Sequence, residues 1–194
     1  LSGPEKLARH HEFEAFSCGV ESLDSRLKRF AYTNQQSDLT TTYVVHRTNE
    51  VAGYYSLTAG SVNREDAPLR VAKGSPNHPI GIVLLARLAV HEPEKGAGLG
   101  RALLKDALVQ SASAADIIAV KAVLVHALNE EARRLYVRFD FESSPAHPLH
   151  LINAVDEGHT GVWLAPVKKA SWALTSNGGN DGAVEAIFTV RKRL

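Results

Sequence analysis

Sulfur is scarce in this chain: one cysteine, Cys18, and no methionine among 194 residues. A single thiol excludes an internal disulfide framework and a zinc cage of several thiolates, and it suits a reducing compartment. Long apolar runs are missing too. No stretch reaches the roughly 18 uninterrupted apolar residues of a membrane span, and the segment from Leu1 to His11 lacks the apolar core of a secretory signal. A cytoplasmic protein that does not enter the membrane is expected. Leu1 reads as a trimmed end or a literally translated alternative start codon, and nothing further depends on it. Neither sign of charge is in excess: 22 Lys plus Arg face 21 Asp plus Glu, for a formal net charge of +1. That balance excludes a generic polybasic protein, so any nucleic-acid contact needs basic residues gathered on one face. Internal repeats and low-complexity blocks are also absent. What is there is 44% hydrophobic and 22% charged, a composition that folds. The length suits one α/β domain with little left for a second.

Periodicity lays out the elements. Leu23, Leu27 and Phe30 recur at i, i+4 and i+7 and predict a helix over 20–33, with Asp24, Arg26 and Lys28 on its wet side. Residues 40–47 and 51–62 are rich in Thr, Tyr and Val around the turn signal Thr48-Asn49-Glu50, which predicts a β-hairpin. Residues 63–79 are polar and carry three prolines, so a loop is expected there. Residues 80–90 form the most apolar run of the chain, with Arg87 its only charge, and predict a central buried strand. A glycine-rich turn and a helix to about residue 111 follow, the latter with Leu103, Leu104, Ala107 and Leu108 as its buried stripe. Residues 119–126 predict another buried strand. Asn129 is placed to cap the next helix, whose inward stripe is Ala132, Leu135, Tyr136 and Phe139. A last core strand is expected at 148–152. Beyond it the pattern deteriorates: 161–164 and 183–190 are candidate short strands, 176–182 is a Ser/Asn/Gly loop, and Arg191-Lys192-Arg193 ends the chain.

The informative unit is strand, glycine turn, helix. Gly96, Gly98 and Gly100 let the backbone approach a ligand with no Cβ in the way. Their N–H groups, with the helix N-terminus, then converge on a space suited to pyrophosphate or another anion, and Lys95 and Arg101 add charge at its edge. A glycine cluster alone also suits a plain turn. It is not a Walker loop, because no Gly-Lys-Ser/Thr follows, and it sits mid-chain after a hairpin, unlike a dinucleotide fingerprint in a first βαβ unit.

The order of elements and the run Lys95-Gly96-Ala97-Gly98-Leu99-Gly100 resemble the GNAT acyltransferase superfamily, whose signature is Arg or Gln, two residues, Gly, one residue, then Gly or Ala. Four separated segments are similar to one branch of it: 16–24 (FSCGVESLD), 84–90 (LLARLAV), 124–127 (LVHA) and 134–141 (RLYVRFDF). That branch comprises the toxins of bacterial type II toxin–antitoxin modules that acetylate the amino group of aminoacyl-tRNA. The resemblance covers residues 7–151. Departures are Lys95 for the usual Gln or Arg, Arg26 where a Trp often follows the Leu-Asp pair, and Asp140 where a Gly is usual.

The resemblance implies an α/β (α+β) GNAT fold: a central mixed, mostly antiparallel sheet flanked by helices, with a V-shaped split between strands. It implies a GNAT N-acetyltransferase domain over 1–152 and a C-terminal extension over 153–194. It implies acetyl-CoA as co-substrate and no metal. The cofactor would lie along Leu88, Ala89, Val90, Lys95, Gly96, Ala97, Gly98, Leu99, Gly100 and Arg101, with Asn129 and Ala132 completing the site. An N–H near Leu88 or Val90 would be the oxyanion donor, and Tyr136 the general acid for the departing thiolate. Implied partners are aminoacyl-tRNA, a second copy of the chain, and a ribbon-helix-helix antitoxin through which alone operator DNA is met.

Several roles stay open on the residues themselves. Tyr136 is a general acid or a core tyrosine. The strand over 80–90 carries no carboxylate, so the base is not evident; Glu92 and His126 are candidates. A lysine side chain, pKa about 10.4, costs over ~4 kcal/mol to neutralise at pH 7, whereas an α-amine near 8 costs about 1 kcal/mol. The missing base thus leans towards an α-amine acceptor. Arg87 either meets a phosphate or forms an internal ion pair. Arg64, Arg70 and Lys73 either track RNA phosphate or belong to a solvated loop. Cys18 reads as a small packed residue, because no activating partner is visible. His147 and His150 have metal-compatible spacing without a third ligand. Two other readings are carried forward: an acetyltransferase of a small-molecule or protein amine, and an inactive copy that binds only the antitoxin.

Overall fold

Seven strands carry the fold: β1 (Ser2–Lys6), β2 (Thr41–Arg47), β3 (Glu50–Val62), β4 (Ile80–Val90), β5 (Ala122–His126), β6 (Glu142–Ser143) and β7 (His150–Ala154). The computed structural model describes residues 1–155. The strands form one sheet in the order β1-β2-β3-β4-β5-β7-β6. Only β4 and β5 run parallel; every other neighbouring pair is antiparallel. The helices are α1 (Glu21–Arg26), α2 (Tyr32–Gln36), α3 (Leu69–Ala72), α4 (Leu99–Ala115) and α5 (Glu130–Val137). This is the mixed, mostly antiparallel sheet flanked by helices that the resemblance implied.

The hairpin of β2 and β3 turns on two residues, Thr48 and Asn49, both with positive φ (48° and 74°). Such two-residue turns match the right-handed twist of the paired strands. β4 is buried along almost its whole length, as a strand central to a two-faced core must be. Its alternating side chains divide the interior. Leu85, Leu88 and Val90 pack with α4 residues Leu99, Leu103 and Leu104 and with Tyr136 of α5. Ala89 packs on the opposite face with Leu23 and Leu27 of the first helical segment and with Tyr54.

The first helix extends to Gln36, and α1 and α2 are joined by a π turn over Leu27–Ala31, which the 3.6-residue spacing of Leu23 and Leu27 does not reveal. The 63–79 segment holds a 3-10 turn (Arg64–Asp66) and α3, whose Val71 and Ala72 are buried. Two strands had no pattern to announce them. β1 is a mostly exposed edge strand whose residues do not alternate, and β6 is only two residues long. β1 is held to the sheet by pairing with β2 and by Glu5, whose carboxylate oxygen lies 3.0 Å from His11 Nε2. β7 runs to Ala154, past the boundary expected at 152. The candidate strands at 161–164 and 183–190, the loop at 176–182 and the basic terminus lie outside the described residues. No helix among the described residues is long and apolar enough to cross a membrane.

Candidate active site

β4 and β5 pair only from Ile82↔Ala122 to Leu85↔Val125. β4 continues to Val90 alongside β3, while β5 continues to His126 alongside β7. The strands therefore part after Leu85. The parting coincides with a bulge in β4: Ser56 faces Arg87 and Leu57 faces Leu85, leaving Ala86 unopposed. A bulge bends its strand and sharpens its twist, which supplies a local cause for the split.

The ladder fixes which backbone groups face the gap. His91 donates its N–H to Ala52 C=O at 2.8 Å, and antiparallel pairs alternate between bonded and non-bonded residues. Ala89 and Arg87, in step with His91, point their N–H groups at β3. Leu88 and Val90 point theirs the other way, into the split, where β5 no longer pairs. Two amides of adjacent pleats thus face a space that a carbonyl oxygen can enter.

The glycine turn closes one end of this space. Gly96 and Gly98 have φ of 80° and 79°, a region costly for any residue with a Cβ. A Cβ added at either would meet nothing within 4 Å, so their outer side is open. Gly98 is the N-cap of α4 and no side chain caps the helix. The first helical bond is Ala102 N–H to Gly98 C=O at 3.1 Å, which leaves the amides of Leu99 and Gly100 ahead of it directed outward, an arrangement that suits an anion. Gly100 is buried, with ordinary φ, and a Cβ there would sit 3.7 Å from Val90 Cγ2, an ordinary van der Waals contact. Arg101 is exposed on the first turn. Lys95 is not turned to the turn's rim: its ammonium donates to Cys18 C=O at 2.8 Å. Asp24 Oδ1 accepts the Cys18 N–H at 2.9 Å. The Cys18 peptide is therefore clamped from both sides, and the first matched segment is tied to the glycine turn.

Tyr136 lies on α5, set by the Asn129 cap, whose side chain accepts Ala132 N–H at 2.9 Å. The tyrosine is fully buried, its ring 5.5 Å from that of Phe141. It belongs to the same cluster as Leu88, Val90, Val125 and Ala127, which flank the split. Among the described residues its hydroxyl has no hydrogen-bond partner, a deficit of about 1–3 kcal/mol in a folded protein. Burial pushes the phenol above its ordinary pKa, so it stays protonated and is available as a donor or an acid. An orphaned hydroxyl beside a gap lined by two amides fits a thioester whose carbonyl and sulfur would take up those donors.

The remaining candidates separate. Arg87 is 8% exposed, donates to Ala86 C=O, and lines a cavity of about 350 Å³ beneath the first helical segment. Arg70 is an internal tie: it pairs with Glu142 at 3.0 Å and donates to Asp140 C=O at 3.2 Å. Its charge is thus engaged within the fold as well as being partly accessible. Arg64 and Lys73 are exposed on the 63–79 segment. Glu92 is exposed and lies beside Gly19. Burial, then Asp24, pushes the Cys18 thiol up to about 12, which removes it as a nucleophile. His126 and His150 stack at 3.9 Å, and His147 lies 4.5 Å from His150. Glu5, His10 and His11 come within metal-ligand distance of one another. Yet His11 Nδ1 accepts Ala8 N–H at 2.9 Å, so the proton sits on Nε2, which donates to Glu5 and offers a metal no lone pair.

Comparison with known proteins agrees with this geometry. The model of the acetyltransferase (GNAT) domain matches residues 38–143. The tRNA-acetylating toxin of Mycobacterium tuberculosis is 44% identical over 151 residues, spanning 78% of this chain and 90% of the relative. The chain belongs to the GNAT acetyltransferases. Among solved structures, AtaT complexed with acetyl-methionyl-tRNAfMet superposes with a TM-score of 0.73 at 24% identity, covering 81% of this chain and 95% of that one. A Tyr→Phe variant of AtaT bound to the C-terminus of the antitoxin AtaR and acetyl-CoA gives a TM-score of 0.67 at 21% identity, covering 82% and 96%.

Proposed function

We propose that this chain transfers the acetyl group of acetyl-CoA to the α-amino group of aminoacyl-tRNA, and so blocks translation as the toxin of a type II toxin–antitoxin pair. One observation carries the chemistry: the split between β4 and β5, with the Leu88 and Val90 amides directed into it and the unpartnered Tyr136 hydroxyl in the cluster that flanks it. The acceptor is supported by the 44% identical relative named as a tRNA-acetylating toxin.

Bound acetyl-CoA supplies an acetyl thioester, and its thiol departs as the new amide forms. The backbone amides of the turn, from Gly96 through Ala97, Gly98 and Leu99 to Gly100, hold the pyrophosphate, with Arg101 at the rim. Leu88 and Val90 orient the acetyl arm, and an amide of this pair stabilises the oxygen as it gains charge, a contact worth about 3–4 kcal/mol in other acyl-transfer enzymes. Tyr136 gives its proton to the departing sulfur. Asn129 and Ala132 hold the turn of α5 that sets the phenol. β4 has no carboxylate, and an α-amine needs little help to lose its proton near neutral pH.

The rest of the reading follows the same family. The chain would work in the cytoplasm, where charged tRNA is found. It would act as a homodimer that merges the modest basic patches of two near-neutral chains, be neutralised by a ribbon-helix-helix antitoxin, and meet operator DNA only through that complex. Residues 1–152 form the catalytic domain in this reading and 153–194 an extension. The test is direct: incubate the full chain with acetyl-CoA and a complete set of charged isoacceptors, and look for N-acetyl-aminoacyl-tRNA by mass. At least one isoacceptor should be modified. Modification of none, with activity on polyamines or peptides instead, would assign a different acceptor.

A further inference from the structure

The glycine turn has little of its own to hold it in shape. Gly96 and Gly98 carry no side chain and both sit at positive φ, and Ala97 between them is exposed. Glycine gives up more conformational freedom on ordering than any other residue, so a loose turn of this kind is ordered at the ligand's expense. At its far end the turn is fixed where Gly98 caps α4. At its near end it follows Lys95 directly. The Lys95 side chain reaches back to the segment ahead of α1, where its ammonium donates to Cys18 C=O at 2.8 Å.

That carbonyl is itself held in place. Cys18 is fully buried, and its N–H is accepted at 2.9 Å by Oδ1 of Asp24 on α1, a residue only 7% exposed. One residue earlier, Ser17 C=O accepts the Glu92 N–H at 2.8 Å. Gly19 closes the corner at φ 80°, with Glu92 Oε1 3.0 Å from where a Cβ would stand. A carboxylate withdrawn from water and set on a backbone N–H costs folding energy that an apolar residue would not; what it secures is a fixed position for Cys18. We propose that Asp24 and Lys95 are positioning residues for acetyl-CoA: together they make the Cys18 backbone a strut that holds the Gly96–Gly98 turn in its binding shape before the cofactor arrives, and neither touches the cofactor. This rests on the placement of the pyrophosphate given above.

The test measures acetyl-CoA binding to the full chain by calorimetry in Lys95→Met, which keeps an unbranched apolar stem and removes the donor, in Asp24→Ala and in the double variant, with circular dichroism confirming each fold. Each single variant should bind about tenfold more weakly. The double variant should bind within about twofold of the weaker single one, because both substitutions break the same strut. Binding should depend on salt equally in Lys95→Met and in the unaltered chain, whereas an ammonium seated on the phosphates would supply a screened attraction that the variant loses. In turnover, KM for acetyl-CoA should rise with kcat little changed, the mark of lost binding and not of lost chemistry. Three results each overturn the proposal: Lys95→Met affinity within about twofold of the unaltered chain, a flatter salt dependence in that variant, or single effects that multiply in the double variant. If Asp24→Ala does not fold, the affinity and salt dependence of Lys95→Met decide. An unaltered chain that binds no acetyl-CoA overturns the cofactor placement and this proposal with it, while binding without acetylation of any aminoacyl-tRNA faults the acceptor alone.

Discussion

Tyr136 is the residue on which the chemistry turns. Its hydroxyl is buried and unpartnered, so Tyr136→Phe should remove an acid without disturbing the packing around it. Turnover should fall about 10²–10⁴-fold, with acetyl-CoA affinity by calorimetry unchanged; unaltered turnover would take the phenol out of that role. Asp140 offers a second test. It sits at φ 60°, where the family's usual glycine carries no Cβ penalty, and Asp140→Gly should stabilise the fold by roughly 0.5–1 kcal/mol in urea unfolding. Tyr136 was legible in the sequence because helical spacing put it on the inward stripe. The orphaned state of its hydroxyl was not, since that depends on every neighbour. Lys95 shows the limit from the other side. Its place beside the glycines suggested phosphate, but its ammonium reaches a carbonyl 77 residues away in sequence, a contact no local pattern encodes.

At the scale of elements, the glycine turn and the split are separate devices. Gly98 supplies the positive φ that starts α4. Gly98→Ala should cost about 1 kcal/mol or more of stability and weaken acetyl-CoA binding, measured by calorimetry; full affinity would show that the turn does not hold the cofactor. Strands with strong patterning, β3 and β4, and the capped α5 were readable because burial and capping leave periodic marks. The bulge at Ala86 was not, although it governs where β4 and β5 part: a one-residue shift in register changes no composition. β1 and β6 were missed for the same reason that makes them edges, since exposed or very short strands need no apolar alternation.

For the whole molecule, pH and salt are the informative variables. Burial first, then His126 and His147, pushes His150 down to about 4, from about 6.5 in an unfolded chain. Between those values the unfolded chain binds a proton that the folded chain refuses, so folded stability should decline as pH falls from about 6.5 towards 4. Urea unfolding across that range should show the decline, and His150→Gln should flatten it. An acceptor held through phosphates should also give a rate that falls steeply with added salt.

The central claim, a thioester seated in the split between β4 and β5, is tested most directly by a crystal structure of the chain with coenzyme A. The pyrophosphate should lie on the Gly96–Gly100 turn, the pantetheine arm against the Leu88 and Val90 amides, and the sulfur within hydrogen-bond reach of the Tyr136 hydroxyl. Coenzyme A bound elsewhere, or the tyrosine ring turned from the sulfur, would contradict it.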